Sequence, residues 1–144
     1  MPADPEPHDL MHAQATAALG TIMDGAPYVS LVLVAFDTDG SPLLLLSRLA
    51  QHTRNLLADP RVSLLFDGTA GLEDPLTGPR LTVLGSAAVC PNPEALVRYI
   101  ERHPSAETYA GFSDFRLYKM QVGRAHYVAG FGKIRWIDAT MLLQ

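Results

Sequence analysis

The sequence has a single cysteine, Cys90, so no disulfide can close within the chain and no multi-cysteine metal site can be built. Lysine is nearly missing: only Lys119 and Lys133 occur, and the formal net charge is −4. A general nucleic-acid binder needs clustered cationic side chains to neutralise phosphates, so no nucleic-acid partner is expected. The remaining basic residues are arginines, whose planar fork suits a small anion better than a polymer. Long hydrophobic runs are lacking too. The longest, residues 31–36 and 43–46, are far too short to cross a bilayer, and no membrane partner is expected. The opening MPADPEPHDLMH is acidic and Pro-rich, with no basic region before an apolar run. It does not read as a signal peptide, so the expected location is cytoplasmic. Neither G-x-G-x-x-G nor G-x-x-x-x-G-K-[ST] occurs, which removes the common glycine-rich phosphate loops.

What is present is apolar. Hydrophobic residues make up 48% of 144 positions and charged residues 18%, which fits one domain with one core and excludes extensive disorder. So few charges leave little polar surface for a monomer, and a homodimer is expected. Residues 1–8 read as a loose tail and residues 9–144 as the domain.

Asp9 can cap an alanine-rich helix running to Leu19, ended by Gly20, with a short strand over 21–23. Asp24-Gly25 is a hairpin signal, and YVSLVLVAF over 28–36 is a buried strand. Further strands are expected over 43–47, 61–66, 80–89, 118–129 and 133–137. Helices are expected over 53–59, ended by Pro60, and after Asn92-Pro93-Glu94, where a cap precedes a proline. Residues 105–110 suggest one more short helix, and the Gly- and Pro-rich residues 67–79 a loop. Strands joined by short turns, without βαβ alternation, indicate an α+β domain on an antiparallel barrel.

The stretch LLLLSRLAQHTRNLLADP, residues 43–60, carries the best candidate site. A strand ends at Ser47-Arg48 and a helix opens near His52-Thr53-Arg54-Asn55. A helix N-terminus offers unpaired N–H groups and partial positive charge, so with these hydroxyls and arginines it could hold a phosphate monoester. The ordinary alternative is that Thr53 merely caps the helix and the arginines are solvated.

SRLAQHTRNL, with DGAPYVSLV, DPLTGPRLTVLG, RYIERHPSAETYAGFSDFRLYKM and GFGKIRWI in order around it, resembles the pyridoxamine 5′-phosphate oxidase-like family of FMN-binding split barrels, and within it the haem-utilisation (HugZ-like) branch. The resemblance spans residues 20–137. It implies a six-stranded antiparallel split β-barrel with a few short helices, a homodimer, and FMN in a groove between subunits. Carried over by position, Ser30, Ser47, Arg48, His52, Thr53 and Asn55 would surround the cofactor's phosphate and ribityl chain, and Arg80 and Thr82 would lie near its edge. The flavin would then supply the chemistry, with an oxidoreductase acting on a small-molecule substrate as the implied activity. No side chain is assigned as acid or base. Haem binding on the same barrel is the alternative, and a third reading is an interaction module without cofactor. The chain ends IDATMLLQ, without the arginine- and histidine-bearing close of true pyridoxamine 5′-phosphate oxidases, and no histidine follows His126.

Other residues have a functional and an ordinary reading. Cys90-Pro91 resembles a haem-regulatory dipeptide, but a cysteine ending a strand before proline is commoner. His8 and His12 could share a metal, or be a solvated pair. His126 and Trp136 could face a cofactor, or be barrel and core residues. Asp114 and Arg116 could meet a second subunit, or form a surface pair.

Overall fold

The computed structural model describes residues 4–143. Asp4 to Glu6 lead into α1 (Pro7–Ala13), so the stretch read as a tail is partly helix, and residues 1–3 lie outside the described residues. α1 has no side-chain cap; Asp9 lies inside its first turn. The helix expected to reach Leu19 stops at Ala13, and β1 (Thr16–Met23) takes the alanine-rich stretch instead. Ala17, Leu19 and Thr21 alternate into the core there, and β1 is flanked on both sides by strands, so tertiary pairing overrides alanine's helix propensity. Asp24 and Gly25, with φ of 53° and 81°, make the tight turn into β2 (Ala26–Leu33).

β3 (Ala35–Phe36) and β4 (Pro42–Ser47) form a hairpin, followed by α2 (Gln51–Ala58) and β5 (Arg61–Asp67). β6 (Pro79–Val89) follows the long loop, then α3 (Pro93–Arg102), capped as expected by Asn92, and α4 (Glu107–Ala110). The chain closes with β7 (Phe115–Ala129), β8 (Ile134–Asp138) and α5 (Ala139–Leu142). α5 escapes the sequence reading because its only local signal is the Asp138 cap, which accepts from the Met141 N–H.

One curled antiparallel sheet runs β2-β1-β5-β6-β7-β4-β3, with β8 also paired to β7. It therefore has eight strands among the described residues, not the six expected. The long β7 serves two neighbours on one edge, β4 along its first third and β8 along its last. β6 and β7 slip register at Leu84/Gly85; a Cβ at Gly85 would lie 2.1 Å from the Gln121 carbonyl oxygen, so only glycine lets the strands approach so closely.

The curl encloses the main core around Leu19, Leu44, Leu64, Phe66, Leu81, Val83 and Met120. A second core lies on the other face of β4, where Leu43 and Leu45 meet Ala95 and Tyr99 of α3. β4 is thus buried on both faces, which is why it reads as four consecutive leucines instead of an alternation. A buried Asp37 pins this layer, accepting from Arg98 of α3 and, at 2.9 Å, from Lys119 of β7. α4 packs on the same second core through Tyr109 and Ala110, so α3 and α4 together cover this part of the outer face.

Candidate functional site

The strand-to-helix junction after β4 is tightly organised. The Ser47 hydroxyl donates to Asp114 Oδ2 (2.8 Å) and accepts from the Leu49 N–H (3.1 Å), while the Arg48 N–H donates to the Asp114 carbonyl (2.6 Å). Asp114 is thus an internal anchor of this turn, and Arg116 stacks over Tyr118. α2 begins at Gln51 with Ala50 at the N-cap, so Thr53 is not the cap; it sits in the helix, fully buried, with its Oγ1 unpaired. Asn55 looks inward as well, donating to buried Thr21 Oγ1 (3.0 Å) and accepting from Gln51 (2.7 Å).

His52 shares a 2.9 Å hydrogen bond with Ser30 across the barrel wall, and burial holds its pKa below the usual imidazole value. Arg48 and Arg54 are exposed, and among the described residues neither makes an ion pair or side-chain hydrogen bond. Among the described residues the N–H groups of Gln51 and His52 take no backbone acceptor. Of the six residues placed here from sequence, Ser47 and Asn55 are already engaged in structural bonds. Arg48, the free nitrogen of His52 and the orphaned Thr53 hydroxyl retain binding capacity, and Arg54 joins them. That donor set fits a phosphate-bearing group.

Arg80 and Thr82 lie elsewhere. Arg80 braces the long loop, donating to the Leu76 carbonyl at 3.0 Å. Thr82 stands on the outer face, opposite His126. Ser30 is paired with core residue Leu19, so it and Thr82 occupy opposite faces of the sheet.

Register links Thr82 to a second grouping. One cross-strand row runs Leu31, Ala18, Leu65, Thr82, His126, Trp136 through six strands. Leu31 is 76% exposed and Trp136 54% exposed, so neither is core. Arg124 lies with its guanidinium 4.3 Å from the Trp136 ring centre, and the His126 and Trp136 rings are 4.5 Å apart. Arg124 was not singled out from sequence; only the β7–β8 pairing shows that it belongs with His126 and Trp136.

The two N-terminal histidines are half-buried in a ring stack. Their rings stack at 4.1 Å, His12 stacks on Phe36 at 4.0 Å, and His8 donates to the Leu142 carbonyl (3.0 Å). No three-ligand group occurs among the described residues. Burial first, then His8 and Arg102, push the His12 pKa down to about 4. Cys90 is half-buried beside α3.

A curled antiparallel sheet with a few short helices defines the class of split-barrel proteins. The chain belongs to the pyridoxamine 5′-phosphate oxidase family, whose pattern matches residues 3–129. It is 40% identical over 110 residues to the non-canonical heme oxygenase HOZ, chloroplastic, of Arabidopsis thaliana. That match covers 74% of this chain, and the chain spans about a third (33%) of the relative's length. A heme-binding protein from Mycobacterium smegmatis superposes with a TM-score of 0.86 at 25% identity, over 99% of this chain and 62% of that one. HutZ, a heme storage protein from Vibrio cholerae, shares the fold, with a TM-score of 0.73 at 23% identity over 85% and 91% of the two chains. These neighbours lie in the haem-utilisation branch of the split barrel.

Proposed function

We propose that this protein handles haem, as a binder or as the barrel on which haem is turned over. The observation that carries the reading is the likeness to a heme oxygenase over three quarters of the chain. The likeness in fold to a heme-binding protein, at a TM-score of 0.86 over 99% of the chain, supports it. Bound haem would supply a redox-active iron; the protein's part is to hold and orient it. Titration with ferric haem tests this: a saturable Soret shift at one equivalent per chain is expected, and no shift at micromolar protein would overturn it.

A second reading, an FMN-dependent oxidoreductase acting on a small molecule, has its own support in the α2 junction. Arg48, Arg54, His52 and the unpaired Thr53 hydroxyl suit a phosphate monoester. FMN released on denaturing freshly purified protein would establish it, and failure to bind added FMN would remove it.

A homodimer is proposed with either reading. Val29 and Leu31 are 69% and 76% exposed on adjacent outer-face positions of β2, with Leu65 in the same row. Contiguous apolar surface of this kind on a low-charge chain is best explained by a second copy. Light scattering should give twice 15.6 kDa, and Leu31→Asp should return a monomer. No helix is long and apolar enough to cross a membrane among the described residues. A cytoplasmic setting is proposed from the scarcity of cysteine, Cys90 being the single one.

A further inference from the structure

We propose that Asp114 is a positioning residue of the α2 junction. It locks the turn that aims Arg48 and the first N–H groups of α2 at a phosphate, and so sets a preference for a phosphorylated flavin over an unphosphorylated one. The inference rests on the FMN reading above and deepens it.

β4 and β7 pair from Leu43 opposite Lys119 to Ser47 opposite Phe115. Asp114 stands one residue beyond that last rung, 67 positions from Ser47 in the chain, and holds both residues at the end of β4. Its carbonyl accepts from the Arg48 N–H at 2.6 Å and its carboxylate from the Ser47 hydroxyl at 2.8 Å. Ser47 in turn holds the entry to α2. Its Oγ accepts from the Leu49 N–H (3.1 Å) and its carbonyl from the Ala50 N–H (3.1 Å). Ala50 is the N-cap and has no side chain that could cap, so Ser47 ties the start of α2 to the strand. Asp114 is itself held by its neighbour Phe115, whose ring packs on Tyr109 (4.8 Å) and Phe112 (6.3 Å) at the edge of the second core.

A serine hydroxyl has one proton, and that of Ser47 is committed to Asp114. Ser47 therefore serves a phosphate through the shape of the turn and not as a donor. Asp114 makes no ion pair among the described residues, so its carboxylate is not spent on a cation. A carboxylate near an anion site acts in two opposite directions. Its charge repels the anion, but at an exposed junction that repulsion is screened by water and salt. Its hydrogen bond to Ser47 is charge-assisted and half-buried, and outweighs the screened repulsion. What the bond holds in place is the donor set already described: the exposed Arg48 guanidinium, the Gln51 and His52 N–H groups, and the fully buried, unpaired Thr53 hydroxyl. Riboflavin lacks the group that these donors address, so its binding does not depend on the turn.

The test uses the full chain, titrated with FMN and with riboflavin and followed by flavin fluorescence, in wild type, Asp114→Ala, Asp114→Asn and Ser47→Ala. Wild type should bind FMN more tightly than riboflavin. Asp114→Ala should lose roughly tenfold in FMN affinity, as one lost hydrogen bond to a charged group would, and leave riboflavin affinity unchanged. Asp114→Asn, whose amide oxygen still accepts from Ser47, should keep most of the FMN affinity. Ser47→Ala should lose as much as Asp114→Ala, and the double variant no more than either alone, since both break one linkage. Melting temperatures measured alongside separate a loosened turn from an unfolded chain, and Asp114→Asn with Ser47→Ala carries the test should Asp114→Ala not fold. Equal losses for FMN and riboflavin, a gain of FMN affinity in Asp114→Ala, additive losses in the double variant, or equal wild-type affinities for the two flavins would overturn the positioning role while leaving flavin binding in place. A wild-type protein that binds no FMN would overturn both.

Discussion

The α2 junction and the outer-face row are two candidate sites built from one sheet, and they differ in how their chemistry is assembled. At the junction, Ser47, Arg48, His52, Thr53 and Asn55 lie within nine positions of one another, and a strand end followed by a helix start is enough to gather them. In the row, Thr82, His126 and Trp136 come from three strands and meet only because β6, β7 and β8 pair in one register. The junction is polar, anchored by Asp114, and suited to a phosphate. The row sets apolar Leu31, Ala18 and Leu65 in line with His126 and Trp136, with Arg124 stacked on the indole and Asp138 across from it. A local motif thus advertises the first, whereas only the sheet creates the second.

The comparison breaks most severely if the sheet itself fails. Leu64→Ala empties a fully buried core position on β5 and should cost about 2–5 kcal/mol of stability in chemical denaturation. It should lower the transition midpoint and weaken ligands at both sites together. A loss confined to one ligand would show that the sites do not share the sheet as their scaffold.

Stability should also fall with acid through a part of the molecule outside both sites. The folded pKa of His12, about 4, lies below the unfolded value near 6.5. Between these values the unfolded chain binds the extra proton, so stability is highest above pH 6.5 and declines as pH falls towards 4. Melting temperatures across pH 7 to 4 should follow this trend, and His12→Phe should flatten it. An equally steep profile in that variant would assign the decline to other groups. Ligand spectra taken above pH 6.5 should therefore be free of this effect.

A smaller and more selective change separates the sites. Arg48→Ala with Arg54→Ala removes both free cations beside α2, and FMN affinity should drop at least tenfold, equivalent to about 1.4 kcal/mol. Haem affinity should stay the same. If haem binding falls in parallel, the two regions act as one site, and fluorescence and absorbance titrations of the same preparation would show it.

The smallest expected effect concerns Thr53. Its buried hydroxyl lacks a partner, so Thr53→Val, which keeps the shape, should raise stability by about 1 kcal/mol in the absence of ligand. The same variant should bind FMN less tightly if the hydroxyl is a donor to phosphate. An unchanged FMN affinity would confine Thr53 to packing.

Much of the architecture was legible in advance. The Asp24-Gly25 turn, the Asn92 cap and the strand before Ser47 each carry a local signal strong enough to survive folding. The misreadings share one cause. Residues 14–20 have a helical composition but lie between two strands, and β pairing with burial of Ala17 and Leu19 outweighs a preference of a few tenths of a kcal/mol per residue. The strand count came out at eight, against the six implied by the resemblance: the one strand read over 28–36 divides into β2 and β3, while the short strand expected over 133–137 is β8.

Composition and local pattern by themselves determined that this chain builds one apolar antiparallel barrel, without intrachain disulfide or cysteine cluster, with a polar strand-to-helix junction after β4. Those properties follow from residue type and from neighbours a few positions apart. Only the tertiary structure decided that Ser47 and Asn55 are tied up internally, that Thr82 turns away from Ser30, and that Arg124, His126 and Trp136 stand together. Each of these depends on strand register, and because successive side chains point to opposite faces, a slip of one residue would have reversed every one of them.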